Sequence, residues 1–209
     1  RTVDVNPQME GQDGNMHDGG DSYATNGENN LGGLGKGCGF SGLTFDVYED
    51  DTLLKSKVND FYGDIGYNKT LKITAISTPT GYHETEETYT FKITENKTDD
   101  NAIIAPKIVR NKYDVAYKSN VPSNTMTKKN KCTGSTDTLE GCTWGVENKI
   151  SSCGYSLPGY EFVSWNTSAN GKGTTYNPGD KFTKLSDKNG DTVYLYAQWK
   201  KLDYTICFD

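Results

Sequence analysis

The chain has 209 residues, 33% of them hydrophobic and 24% charged, with a formal net charge of −6 at pH 7. That acidic balance, with a pI near 5.0 and a mean hydropathy of −0.76, excludes the basic footprint of a nucleic-acid binder. No apolar run approaches the ~20 residues of a membrane span, and the apolar content is a thin core for one or two domains. Fourteen Tyr and 23 Gly favour half-buried strands joined by turns over helices.

Taken in order, Arg1 to Asn6 lacks the make-up of a signal peptide, so an exported protein would have lost one before this point. Thr2 to Met9 reads as a strand, with Val3 and Val5 alternating with polar residues. Residues 10 to 39 lose periodicity. They form either a long loop held by ligands or packing, or a mobile excursion. Strands return at Leu43–Tyr48, Leu53–Val58, Leu71–Ala75 and Tyr89–Ile93, separated by Glu49–Thr52 and by the turn Thr78–Gly81. Short strands with turn chemistry predict an antiparallel sandwich or partial barrel. Ala102 to Val109 is one more apolar run, broken by Pro106. We place a boundary near Lys107 to Asn111, giving a β-sandwich-like module over 1–109 and a second module over 110–202.

In the second module Tyr113, Val115 and Tyr117 alternate, and residues 120 to 143 form a polar, Cys-bearing insertion. Trp144 to Ser152 reads as a short helix or a turn. Phe162 and Trp165 follow on a strand, then Tyr176 and Phe182. On the final strand Val193, Leu195, Ala197 and Trp199 face one way, and Tyr194, Tyr196 and Gln198 the other.

Little chemistry is encoded. The two His residues, His17 and His83, sit in polar loop and turn contexts, without a neighbouring nucleophile to activate. Gly32–Gly37 lacks the glycine spacing and the Ser/Thr after Lys of a phosphate-binding loop. Asp13–Asp21 and Asp187–Asp191 are oxygen-rich, but neither has EF-hand spacing. Asn189–Gly190 is most economically a hairpin turn. Asn68, Asn96 and Asn166 open formal glycosylation sequons; a structural turn role suits Asn166 better. The cluster Lys128–Lys131 reads as a solvated loop. No cofactor or metal is implied.

The five cysteines are Cys38, Cys132, Cys142, Cys153 and Cys207. None forms a metal-type CxxC pair. Three of them fall in one Gly/Ser/Thr-rich segment, which predicts a local disulfide in an exported protein. Cys132–Cys142 closes a polar loop, Thr133 to Gly141, that could contribute up to roughly 3 kcal/mol. Cys142–Cys153 competes with it, a bridge between modules involving Cys38 and Cys207 stays open, and so does a fully reduced chain.

The most specific text is Gly159-Tyr160-Glu161-Phe162-Val163-Ser164-Trp165-Asn166-Thr167, then Asn170–Asp180 with Tyr176 and Gly179, then Leu195-Tyr196-Ala197-Gln198-Trp199. This pattern resembles the Listeria–Bacteroides repeat, also called the internalin-type B repeat, over about Lys112 to Lys200. The resemblance implies a small β-grasp-like module strung along a bacterial cell-surface protein. Asp203–Asp209 is comparable to Tyr113–Tyr117 and reads as the opening strand of a further repeat. Phe45–Thr94 resembles, less specifically, the β-modules of surface adhesins, including collagen-adhesin B-type domains. Those carry a Lys–Asn isopeptide bond, but Thr2–Asn6 supplies no Lys, so the bond is not carried over.

The resemblance implies a non-enzymatic adhesin or stalk segment outside the cell. Flanking repeats, and a host or neighbouring-cell protein or glycan, would be its partners. A glycan- or host-protein-binding module and an accessory region of a surface hydrolase are the alternatives. An exposed row of Tyr and Trp would favour glycan binding; buried aromatics would favour a spacer.

Overall fold

In the computed structural model, residues 1–5, 7–11, 13–18, 42–94, 102–123 and 131–203 are described. Cys38, Cys207, the glycine run 32–37, the Asn96 sequon, residues 128–130 of the lysine cluster and residues 204–209 lie outside them. The protein is all β: among the described residues there is no helix. It divides into two compact units, Arg1–Arg110 and Asn111–Asp209.

The first unit contains β1 (Thr2–Val5), β2 (Gln8–Glu10), β3 (Met16–Asp18), β4 (Thr44–Glu49), β5 (Thr52–Val58) and β6 (Phe61–Asp64). They are followed by β7 (Thr70–Ser77), β8 (Tyr82–Glu84), β9 (Tyr89–Lys92), β10 (Ala102–Ile104) and β11 (Lys107–Arg110). Three sheets result, ordered β10-β1-β6, β5-β4-β7-β9 and β3-β2-β11-β8. The first two face each other across one core. Val3 and Val5 of β1 and Phe61 of β6 meet Phe45, Val47, Leu71, Ile73 and Ile93. The contributing strands β1, β4 and β7 alternate buried with less buried positions, as a sandwich requires.

Two features depart from the sequence expectation. β1 runs parallel to β10, and β2 runs parallel to β11. The sequence reads Thr2–Met9 as one strand, yet it bends at Pro7 into two. Its partner bends at Pro106, as Pro within the run anticipates. The register is kept through the bend: Val5 faces Ile104 and Gln8 faces Lys107. The Gln8 amide donates to the Pro106 carbonyl at 2.9 Å. A proline on each strand lets one parallel ribbon serve two sheets.

The second departure is β3, inside the stretch read as aperiodic. Three residues are too few to show a period. The hairpin is built by its turn instead: Asp13 accepts from the Asn15 amide at 3.0 Å and Gly14 takes φ +77°.

β5 is exposed along most of its length because it is an edge strand whose register against β4 shifts twice. The Asp46 carboxylate clasps the irregularity, accepting from the Lys57 amide and the Ser56 hydroxyl, both at 2.8 Å. Those bonds, the amide's first, hold the Asp46 carboxyl below its ordinary value.

The second unit contains β12 (Lys112–Lys118), β13 (Thr133–Gly134), β14 (Leu139–Thr143), β15 (Asn148–Lys149) and β16 (Tyr155–Ser156). Then come β17 (Tyr160–Asn166), β18 (Thr175–Tyr176), β19 (Lys181–Phe182) and β20 (Asp191–Lys201). Its main sheet runs β14-β12-β20-β17-β18, with β12 and β20 parallel at the centre. Of the two readings of Trp144–Ser152, the turn is the one observed, with the short β15 paired to β19.

One charged pair in the first unit has a pH consequence. Asp4 Oδ1 is buried without a hydrogen-bond partner. Burial first, and the Asp4 charge second, push the Asp60 carboxyl above its ordinary 3.8. A raised folded-state value means that folding is penalised when the carboxylate is charged. The penalty is absent below the unfolded value of 3.8 and grows as pH rises through the raised value. Asp60→Asn is therefore expected to be more stable than the parent at about pH 7 and equal to it at about pH 3, in urea denaturation at the two pH values. Equal stability at both would refute this account.

Candidate functional site

The motif residues converge on one end of the second unit. Trp165 on β17 is fully buried. Its ring lies 4.6 Å from that of Tyr117, 5.0 Å from Phe162 and 6.3 Å from Tyr155, in tilted and edge-on geometries. Phe162 in turn meets Trp199 edge-on at 6.0 Å. Leu195 and Ala197 of β20 are fully buried beneath, while Phe162, Tyr160, Tyr176, Tyr196 and Trp199 are half-buried. Tyr176 on β18 pairs with Trp165, and Tyr196 on β20 with Asn166.

The polar atoms of these rings tie down loops. Trp165 Nε1 donates to the Ser151 carbonyl at 2.9 Å, and Trp199 Nε1 to the Ser119 carbonyl at 2.6 Å. The Tyr117 hydroxyl accepts from the Ser151 amide, and the Tyr155 hydroxyl donates to the Tyr117 carbonyl, both at 2.9 Å. The Tyr113 hydroxyl accepts from the Leu185 amide; burial raises its pKa above the ordinary value. Each of these five rings therefore packs and satisfies a backbone group at the same time.

Gly159 and Gly179 occupy turns. Gly159 takes φ +80° in the turn closed by the Tyr160 amide on the Leu157 carbonyl. Gly179 takes φ +87°, and its amide reaches the Ile150 carbonyl. Neither would meet another atom through an added Cβ. It is the left-handed backbone that calls for glycine there.

Sequence reasoning gave Asn166 a turn role but missed its extent. It is 1% exposed. Its Nδ2 donates to the Gly171 and Gly173 carbonyls and to Thr175 Oγ1, at 3.1–3.3 Å. Its Oδ1 accepts from the Ser168 and Gly173 amides at 2.9 and 3.0 Å. One side chain thus organises the loop to Thr175, and its amide nitrogen is engaged rather than presented as a glycosylation site. Asn120, with φ +46°, was not singled out at all. Its Nδ2 bridges the Ala169 and Ala197 carbonyls at 2.9 Å. The only signal for it was Asn's tolerance of left-handed turns.

The expected Cys132–Cys142 bridge is absent, and so is Cys142–Cys153: all three cysteines are free thiols. Cys142 is buried on β14 opposite Tyr113, with its thiol on the Leu139 carbonyl. Strand pairing withdraws it from the polar loop that the bridge would have closed. Burial pushes all three thiols above the ordinary 9.0, which disfavours nucleophilic chemistry.

Oxygen atoms of the 187–191 turn are engaged by protein donors. The Asp187 carbonyl accepts from Asn111 Nδ2, Asn189 Oδ1 from the Lys112 amide and Asp191 Oδ2 from the Ser186 hydroxyl. Among the described residues no three His, Cys, Asp or Glu come together as a metal site. Among the described residues the exposed large hydrophobics are Leu53, Leu54, Tyr62 and Tyr67 in the first unit, and Val163 and Tyr194 in the second. The three tryptophans are not among them: Trp144 and Trp165 are buried and Trp199 is half-buried.

No family model matches the chain. Over 51 residues it is 41% identical to a protein described as a Gly-rich membrane protein of Evansella cellulosilytica, a match covering 24% of this chain and 5% of that relative. Two solved structures are similar to it at low identity. The Bacillus anthracis TIE protein (13% identity, TM-score 0.40) is matched over 96% of this chain and 34% of its own. A streptococcal ancillary pilin (11%, TM-score 0.30) is matched over 94% and 62%.

Two substitutions test the roles of the motif. Trp165→Ala should lower stability by about 3–5 kcal/mol, and Trp199→Ala, half-buried, by less. Urea denaturation followed by far-UV circular dichroism measures both, and an unchanged midpoint for Trp165→Ala would remove it from the core. Separately, Asn166→Asp keeps the acceptor but loses the donors to Gly171 and Gly173. It is expected to cost about 1–3 kcal/mol and to speed proteolytic cleavage after Lys172; a parent-like cleavage rate would count against the hub.

Proposed function

We propose that this chain is a structural segment, a stalk or spacer, of a bacterial cell-surface protein. The observation that carries the reading is how the aromatics of the second unit are spent. Its three tryptophans and its motif tyrosines are buried or half-buried, and the indoles of Trp165 and Trp199 and the hydroxyls of Tyr113, Tyr117 and Tyr155 are engaged with backbone groups. A glycan-binding platform would instead present such rings in an exposed row. The motif resemblance to the internalin-type B repeat supports a surface location and flanking repeats as neighbours. The partial likeness to a Gly-rich membrane protein fits an envelope setting.

The proposal has no enzymatic role in it. The raised thiols and the carboxylates and amides engaged in turns support a framework rather than a reaction centre.

Two measurements test it. Antibody against the chain should label intact bacterial cells. A glycan array and a panel of host extracellular proteins at micromolar chain concentration should give no saturable binding. Saturable binding that Tyr194→Ala abolishes would overturn the spacer reading in favour of a binding module using the exposed face of β20.

A further inference from the structure

In the second unit β12 is the first strand and β20 the last described one, and they lie side by side, parallel, in the middle of the main sheet. Six consecutive pairs hold them in register, from Tyr113 with Asp191 to Lys118 with Tyr196. Both strands therefore start at the same end of the sheet. A pull on the chain before Lys112 and after Lys201 draws them in opposite directions along their common axis. Such a load falls on the whole ladder at once, because no pair can open before its neighbours slide. Were the two strands antiparallel, the same pull would open the pairs one at a time from one end.

The ladder is latched at both ends. At its start the Gly190 amide donates to the Lys112 carbonyl at 2.7 Å, and the Lys112 amide to Asn189 Oδ1 at 3.0 Å. Asn111, one residue earlier, is buried; its Nδ2 donates to the Asp187 carbonyl and its own carbonyl accepts from the Trp144 amide. At the far end Trp199 Nε1 reaches the Ser119 carbonyl at 2.6 Å, and Asn120 Nδ2 the Ala197 carbonyl at 2.9 Å. Both bonds join residues after β12 to β20, so sliding must break them too. Val115, Tyr117, Leu195 and Ala197 are buried along the pair, and Lys118 Nζ lies over the Tyr194 ring at 4.6 Å, so water competes poorly for the ladder bonds. The comparable ladder of the first unit is cut at Pro7 and Pro106, which have no N–H, into runs of three and two pairs.

We propose that the β12–β20 pair is a tension-bearing clamp that keeps the second unit folded when the chain is pulled by its two ends. Its use rests on the stalk reading, since a stalk is loaded end to end; its existence rests on the strand geometry alone. Failure under load is set by the rate of unfolding along the pulling direction rather than by equilibrium stability. A thin core is therefore compatible with high resistance in this one direction. Opening the clamp requires the ladder and its latches to break together, whereas opening the sheet from an edge requires only one pair at a time.

The test is single-molecule force spectroscopy on the whole chain, at one pulling speed and in two geometries. In the first the handles are at the two chain ends. In the second they are at the carboxy-terminal end and at an azido amino acid substituted at Pro158, an exposed turn residue near the Tyr160–Lys201 pair. That attachment peels β17 and β20 apart from their shared end. Between the chain ends, the second unit is recognised by a release of about 300 Å of extended chain, shorter than that of the first unit. Its rupture force is expected to be at least about twice that of the peeling geometry. Asn120→Gly removes the bond to Ala197 and suits the backbone φ of +46°; it is expected to lower the end-to-end force more than the peeling force. Equal forces in the two geometries, or an end-to-end force that Asn120→Gly leaves unchanged, would overturn the clamp. A high end-to-end force in a chain that antibody does not find on cells would sink the stalk reading and keep the clamp. A low force in a surface-labelled chain would sink the clamp alone.

Discussion

Each unit is closed by parallel pairing between the strands at its two ends. In the first unit the ribbon of β1 and β2 lies along β10 and β11; in the second, β12 lies along β20. Parallel neighbours cannot be joined by a short turn, so everything between them must form the rest of the unit. In the second unit this puts Tyr113, Val115 and Tyr117 beside Asp191, Val193 and Leu195, and Tyr117 against the Trp165 ring. In the first it puts Val3 and Val5 at the centre of the core. Contacts so distant in sequence carry a large loop-closure cost, which the buried rows of β-branched and aromatic residues must offset.

A chain with little apolar material meets that cost by making its rings do two things. Tyr113, Tyr117, Tyr155, Trp165 and Trp199 each pack a ring and anchor a loop group through a hydroxyl or indole nitrogen. Short side chains extend the same economy. Asn166 satisfies five partners and Asp46 clasps an irregular edge strand. The second unit is thus long loops held by side chain to backbone bonds over a narrow core. That is compatible with a shape-keeping role and leaves few aromatic faces for a ligand.

The irregular positions follow from the same economy. Ala75 takes φ +52° where β7 shifts register against β4, and Lys57 takes φ +51° on β5. Bulges of this kind twist an edge away from indiscriminate pairing. Leu53 and Leu54 are exposed on β5, the edge that carries this device.

What the sequence by itself determined is local. Period-two alternation at Phe45–Val47, Leu71–Ile73, Tyr113–Tyr117 and Leu195–Ala197 marked the strands and their buried faces, because a strand's side chains alternate whatever its neighbours are. Pro106 marked a break, and Thr78–Gly81 marked a turn, because Pro and Gly restrict or free the backbone on their own. Tertiary structure decided what depends on residues far apart. Periodicity is the same for parallel and antiparallel partners, so the closing pairs β1–β10 and β12–β20 were not legible. Three-residue β3 was too short to carry a period. Proximity in sequence favoured Cys132 with Cys142, yet strand pairing turned Cys142 into the core opposite Tyr113. A side chain's neighbour is chosen by register and burial, and neither is written in the spacing along the chain.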